Sequence, residues 1–205
     1  MELCCREVFE WNKMQTDPNF GNYLMRVGDD GQDKIVLLDF GAIRDFDDEV
    51  LGPGREMIRA AWLHDSDRLF GAMRALEFLD GEVPRRLLDD FAALCFEAIE
   101  ALQDPDRFPP PKSVVNDKGE YLWGESNLPN RVMNRASRTA LSVHFDVPPK
   151  EFIFLFRKLL GAYTFLHVIK AQVRGNTILE PFIHMREDED RGRVAQKLNG
   201  QTADS

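Results

Sequence analysis

A chain of 205 residues with 43% hydrophobic and 30% charged residues has the composition of an ordinary globular protein, long enough for one or two domains. The formal net charge of −9 argues against a nucleic-acid partner, because phosphate binding needs a basic surface. The three cysteines form no Cys-x-x-Cys pair, which favours a reducing compartment and buried or idle thiols. No signal peptide is visible, and the longest apolar run, 159–169, is too short to span a bilayer, so we expect a cytoplasmic protein.

The N-terminal quarter predicts a helix end, a loop and a β-hairpin. Residues 2–13 mix apolar and charged residues in the manner of a helix that is ending. Pro18 and Gly21 then indicate a loop over 15–22. Two short runs rich in β-forming residues flank the turn-forming sequence GDDGQD, which predicts a hairpin over 22–38.

After Asp45 the pattern becomes helical, and we expect a helical body over 48–186. An irregular surface excursion is predicted over 103–130, where Pro, Gly, Asp and Asn are frequent, with a small hairpin around 117–119. Further helices are expected at about 130–144 and 149–173. The charged tail, 187–205, is expected to be disordered. The predicted fold class is mainly α with a small N-terminal β-hairpin.

The sequence MQTDPNFGN places two polar groups five residues apart in the loop 14–22. A carboxylate at Asp17 can point at a hydroxyl or a water, while the amide oxygen of Asn22 can ligate magnesium, as in protein-kinase-like catalytic loops. Asp39 ends the second predicted strand and opens Asp-Phe-Gly at 39–41, where a carboxylate would take a magnesium ion that bridges nucleotide phosphates. The alternative is a plain surface turn, followed by a hairpin whose Asp39 caps the next segment. The order loop, strand, turn, strand, carboxylate favours the kinase-like interpretation.

Longer segments resemble a known family. FEWNKMQTDPNFGNYL, KIVLLDFGAIRDFDDEV, LEFLDG and VPPKEFIFLFRKLLGAYTFLHVIKA are similar to the C-terminal half of the UbiB/AarF/ADCK-type atypical kinases. The resemblance implies a protein-kinase-like C-lobe over 1–186 that binds ATP with Mg²⁺, with Asp17 as the catalytic carboxylate and Asn22 and Asp39 as magnesium ligands. It also implies a link to ubiquinone biosynthesis, ATPase or small-substrate kinase activity rather than protein phosphorylation, and peripheral contact with a membrane or lipid.

The sequence departs from an ordinary kinase in two ways. No Ala-Pro-Glu follows Asp-Phe-Gly, which argues against a protein-kinase role. The residues before Asp17 carry no Gly-rich cover, no strand lysine for the phosphates and no helix glutamate. We therefore expect a C-lobe lacking the N-lobe, with weak nucleotide affinity and little turnover alone, which would work with a partner chain that bears an N-lobe. Such a lobe would expose apolar groups near Leu24 and Leu37 and tend to associate.

Two other functions stay open from the sequence. One is a non-catalytic helical interaction module derived from a kinase fold. The other is an aminoglycoside-phosphotransferase-type enzyme, which shares the carboxylate and amide spacing but fits the helices after Asp45 less well.

Several basic residues outside the motif have two interpretations. Arg131, Arg135 and Arg138 share one face of a predicted helix, which is either a solvated face or a site for phosphate or anionic lipid. Arg44 could orient the metal loop or bond a helix end. Arg157 and Lys158 are expected to pair with acidic residues rather than to act chemically.

Overall fold

A computed structural model describes residues 1–17, 19–28, 34–77, 83–140 and 150–203. Within these ranges most residues are helical, and short strands pair into two-stranded antiparallel sheets. The helices are α1 (Glu2–Arg6), α2 (Asp48–Leu63), α3 (Ser66–Ala75), α4 (Arg85–Ala98), α5 (Trp123–Ser126), α6 (Leu128–Ala140), α7 (Lys150–Val168), α8 (Asn176–Ile183) and α9 (Glu187–Ala203). The strands are β1 (Lys13–Gln15), β2 (Tyr23–Arg26), β3 (Lys34–Leu37), β4 (Ile43–Asp45), β5 (Tyr121–Leu122) and β6 (Gln172–Val173). The mainly α prediction is confirmed at this level, while the assignment to a kinase C-lobe stays a prediction.

The N-terminal helix ends in a widened turn before the first strand. α1 continues as a π-helical turn, Glu7–Trp11, and Asn12 stops it in the left-handed conformation with φ of 51°. A π-helical turn shifts the phase of the side chains, so that three consecutive residues, Glu7, Val8 and Phe9, are all buried. The predicted helix end is therefore present, and it places the buried carboxylate of Glu7 beside β1.

Two strand pairs hold two loops side by side. β1 pairs with β4, and Thr16 continues the pairing by donating its N–H to the Ala42 carbonyl at 3.0 Å. β2 pairs with β3 as the predicted hairpin, whose turn, 29–33, lies outside the described residues. At the root of the hairpin, Leu38 N–H donates to the Asn22 carbonyl at 2.9 Å. The loop 16–22 and the segment 38–42 are thus bonded to each other at both ends.

Two hydrophobic clusters form the core of the described residues. The larger one joins α2, α3, α4, α6 and α7, with the fully buried Trp123 ring 4.8 Å from that of Tyr163. The smaller one packs Phe9 and Met14 beside the candidate loop, where Phe9 meets Phe182 of α8. The three cysteines are free and line one apolar cavity of about 440 Å³. Across the described ranges, no helix has both the length and the apolar composition that crossing a bilayer requires.

The predicted excursion, 103–130, is partly ordered by packing against the core. It contains β5, α5 and the start of α6, and the small hairpin is present, with Gly119 at φ +72° in its turn. The helix predicted to reach residue 173 ends at Val168, and β6 pairs with β5 instead. α8 was not identified from the sequence. It begins where Gly175 approaches Ala101 so closely that a Cβ would lie 1.9 Å from the Ala101 carbonyl oxygen.

The expectation of a disordered tail over 187–205 is wrong for the part of it that the structure describes. α9 packs on α2 and α3, and Asp190 is fully buried between two equally buried arginines. Arg55 Nη2 lies 2.7 Å from Asp190 Oδ1, and Arg59 Nη1 lies 2.8 Å from Asp190 Oδ2. A composition poor in apolar residues suggested disorder, but here buried ion pairs attach the helix to the body.

The hairpin formed by β2 and β3 exposes apolar side chains. Leu24 is 55% exposed and stands directly opposite Val36, with Met25 and Ile35 exposed beside them. Leu37 is only half-buried. The apolar surface expected here is therefore present on the strands themselves.

Replacing Asp190 with Ala should strongly destabilise the chain, because two buried guanidinium groups would lose their shared carboxylate. We expect the free energy of unfolding to fall by about 3–5 kcal/mol, measured by urea denaturation. Glu189→Ala, on an exposed neighbour in the same helix, is the control and should change it by less than about 0.5 kcal/mol. Equal effects of the two substitutions would contradict the role given to the buried pairs.

The exposed hairpin should drive self-association of the wild-type chain, seen as a concentration-dependent mass in size-exclusion chromatography with light scattering. Leu24→Lys combined with Val36→Glu places opposite charges across the two strands, so it should keep the pairing and reduce the association. Met133→Lys, at an exposed apolar position on α6, should have no effect. A wild-type chain that elutes as a monomer at all concentrations would refute the expectation.

Candidate functional site

The predicted catalytic loop brings its carboxylate and its amide into contact. Asn22 Nδ2 donates a hydrogen bond to Asp17 Oδ2 at 3.1 Å, which leaves the amide oxygen of Asn22 as an acceptor. A short 3₁₀ turn, Phe20–Asn22, sets this geometry, and Asn19 accepts from the N–H groups of Gly21 and Asn22. Pro18 lies outside the described residues. The five-residue spacing thus brings the two side chains into contact, while their catalytic and magnesium-binding roles stay predictions.

The Asp-Phe-Gly segment begins two residues after the end of β3, with Leu38 between them. Asp39 Oδ1 accepts a hydrogen bond from the Gly41 N–H at 2.7 Å, which turns the chain just after the strand. A Cβ at position 41 would lie 3.1 Å from Asp39 Oδ1, so glycine is the residue that fits this turn without pressing on the carboxylate. Since the Leu38 N–H is bonded to the Asn22 carbonyl, Asp39 comes one residue after a direct backbone link between the hairpin and the loop 16–22.

A side chain that the sequence did not single out links the two segments. Gln15 Nε2 donates to the Asp39 carbonyl at 2.6 Å, and Gln15 Oε1 accepts from the Asp17 N–H at 3.2 Å. One buried amide therefore uses its donor and its acceptor to hold the two aspartates in a fixed relation. The sequence feature that could have pointed to Gln15 is a polar residue directly after the apolar Met14 and two positions before Asp17.

A cavity of about 150 Å³ lies between these elements. Asn22 and Asp39 both line it, together with Gln15, Lys13 and Tyr23, while Asp17 does not line it but touches Asn22. The structure therefore brings all three predicted site residues into one neighbourhood, and two of them line the same cavity.

The donor set suits a hard divalent cation. Carboxylate and amide oxygens are ligands that Mg²⁺ accepts, and this ion retains several waters or takes phosphate oxygens. In the described part of the chain, no three His, Cys, Asp or Glu side chains group closely enough to hold a metal. Asp39 and the amide oxygen of Asn22 would fit an ion that takes its other ligands from phosphate and water, as the ion of a bound nucleotide does.

Most of the other basic residues that were candidates for a functional role make contacts within the fold. Arg131 and Arg135 are paired with Glu97 of α4, and Arg131 also with Glu100, so their charge is compensated within the fold. The Arg44 guanidinium lies 5.0 Å from the centre of the Phe154 ring on α7. Lys158 pairs with Glu7, as expected of it.

The N-terminal part of the chain, residues 1–73, matches the ABC1 atypical kinase-like domain. This match contains Asp17, Asn22 and Asp39 and the two strand pairs that hold them.

Comparison with curated proteins extends the similarity along most of the chain. It is 30% identical to the rat protein named atypical kinase COQ8B, mitochondrial, over 90% of this chain and 32% of that protein. Identity is 29% to the probable serine/threonine-protein kinase abkA of Dictyostelium discoideum, over 89% of this chain and 30% of that protein. Atypical kinase COQ8, mitochondrial, of Saccharomyces cerevisiae is 27% identical over 80% of this chain and 30% of that protein.

The chain spans about a third of the length of these relatives. Several of them are mitochondrial by name, so the cytoplasmic location stays a prediction. The domain match over the site and the similarity along the remainder agree with the resemblance noted in the motifs. Along most of its length this chain is therefore a homologue of the ABC1, or UbiB/AarF/ADCK-type, atypical kinases.

Proposed function

We propose that this chain binds a magnesium-bound nucleotide at Asp17, Asn22 and Asp39 and serves as the nucleotide-handling C-lobe of an atypical kinase or ATPase. The observation that carries this proposal is the Gln15 amide, which bonds to the backbones of both Asp17 and Asp39. The homology to atypical kinases along most of the chain and the domain match over residues 1–73 support it.

Each residue has a distinct chemical part in the proposal. Asp39 and the amide oxygen of Asn22 would hold magnesium, which when bound neutralises charge on the nucleotide phosphates. Asp17 would orient the attacking hydroxyl or water and accept its proton. The hydrogen bond from Asn22 Nδ2 fixes one oxygen of Asp17, so that the Asp17 carboxylate keeps a defined direction. Asn22 itself lines the cavity.

The wider context follows from the family resemblance. The proposed setting is ubiquinone biosynthesis, with ATP hydrolysis or phosphorylation of a small substrate rather than of a protein. A chain that bears an N-lobe and a membrane or lipid surface are the proposed partners.

A second candidate function is a non-catalytic interaction module. The exposed apolar hairpin of β2 and β3 favours it, because such a surface suits a protein partner. The two functions differ in one measurable property, which is nucleotide binding that depends on a divalent cation.

Asp39→Asn should weaken Mg²⁺-dependent ATP binding at least about tenfold, because a contact to a charged group contributes about 1.5–3 kcal/mol. Isothermal titration of the purified chain with ATP, with and without Mg²⁺, gives the affinities. Asp89→Asn, at an exposed carboxylate of α4, is the matched control and should bind like wild type.

Two results would count against the nucleotide site. One is an ATP affinity that Asp39→Asn leaves unchanged. The other is a wild-type chain that does not bind ATP at millimolar concentration, and that result would favour the interaction module.

A further inference from the structure

A lysine from the C-terminal half of the chain lies buried beneath the candidate site. Lys158 of α7 is 4% exposed, and its Nζ lies 3.1 and 3.0 Å from the two carboxylate oxygens of Glu7. The same nitrogen donates to the Gln15 carbonyl at 3.0 Å and lies 3.4 Å from the hydroxyl of Tyr23. Its partners therefore come from the π-helical turn, from β1 and from β2.

The ion pair engages both backbone polar groups of Gln15. The Gln15 N–H donates to Glu7 Oε1 at 3.1 Å, while the Gln15 carbonyl accepts from Lys158 Nζ. In an antiparallel pair, successive residues direct these groups to opposite edges, and the next residue, Thr16, bonds to Ala42 on the β4 side. On the other edge of β1, Glu7 and Lys158 thus take the place of a neighbouring strand.

The pair is buried enough for each charge to depend on the other. Burial alone would lower the pKa of the Lys158 ammonium, but its neighbours, the Glu7 carboxylate foremost, together outweigh burial and raise that pKa, so the lysine is charged at neutral pH. Removing one member would leave the other as an uncompensated buried charge. The contacts to Gln15 would then loosen as well, since they belong to the same hydrogen-bonded network.

We propose that Lys158, paired with Glu7, is a positioning residue for the nucleotide site. It fixes the backbone of Gln15, and the Gln15 side chain in turn bridges Asp17 and Asp39. This inference rests on the function proposed above, but its geometric part can be tested without nucleotide. Lys158 is a positioning rather than a catalytic residue, because its Nζ bonds to Glu7, Gln15 and Tyr23, and its effect on Asp17 and Asp39 passes through Gln15.

Two variants separate positioning from general stability. Lys158→Met removes the ammonium at similar side-chain length, and Glu7→Gln/Lys158→Met also removes the carboxylate that would otherwise be left unpaired. The destabilised control is Leu128→Ala, at a fully buried residue at the start of α6 that belongs to the larger hydrophobic cluster. All are measured at a temperature at which thermal unfolding shows them to be folded.

The first measurement is the ¹H–¹⁵N NMR signal pair of the Gln15 side-chain amide, recorded without nucleotide. We expect both Lys158 variants to move these signals to the positions of a solvent-exposed glutamine, and Leu128→Ala to leave them in place. The double variant should unfold at a higher temperature than Lys158→Met and still show the displaced Gln15 signals, which a purely structural role would not produce.

The second measurement is the dissociation constant for Mg²⁺-ATP. Loss of a residue that supports a metal ligand typically weakens metal binding about 10–100-fold, and we expect this range for both Lys158 variants and no change for Leu128→Ala. Gln15 signals and an affinity that match those of Leu128→Ala would overturn the proposal. If the wild type binds no Mg²⁺-ATP, the proposed function fails, and the Gln15 signals alone decide whether Lys158 positions the amide.

Discussion

The candidate site depends on Gln15, whose backbone and side-chain polar groups all form hydrogen bonds. The backbone of Gln15 is held by a buried ion pair, and its side chain holds the backbones of Asp17 and Asp39. A carboxylate whose position is fixed before the ligand arrives supports tighter binding, since ordering it afterwards would cost binding energy. Gln15 provides this fixation with a neutral group, which adds no charge next to the two aspartates.

The local part of this arrangement could be predicted from the sequence, and the distant part could not. A loop, a hairpin and a spacing of five residues are enough to bring Asn22 to Asp17, because turn chemistry and strand pairing act over short distances. Lys158 reaches Gln15 across 143 positions, and no periodicity in either segment encodes that contact. From the sequence we expect Lys158 to pair with some acidic residue, but nothing in the sequence identifies that residue as Glu7.

Buried charge also explains why the last helix was missed. A tail with few apolar residues and many acids is expected to stay in water, and that rule takes account only of hydrophobic burial. α9 instead places Asp190 between Arg55 and Arg59, where its carboxylate forms an ion pair with both guanidinium groups. Gly52 allows this approach, since a Cβ there would lie 3.2 Å from Asp190 Oδ1. Such a match between distant charges is visible only once the helices are packed.

The long separation between Lys158 and β1 also has a consequence for the order of events during synthesis. A ribosome adds roughly 5–20 residues each second, so the 143 positions between Gln15 and Lys158 correspond to roughly 7–30 s of translation. During that interval the nascent segment that contains Glu7 and Gln15 emerges without its lysine. The strands can pair early, yet the loop acquires its final support only when α7 leaves the exit tunnel and docks.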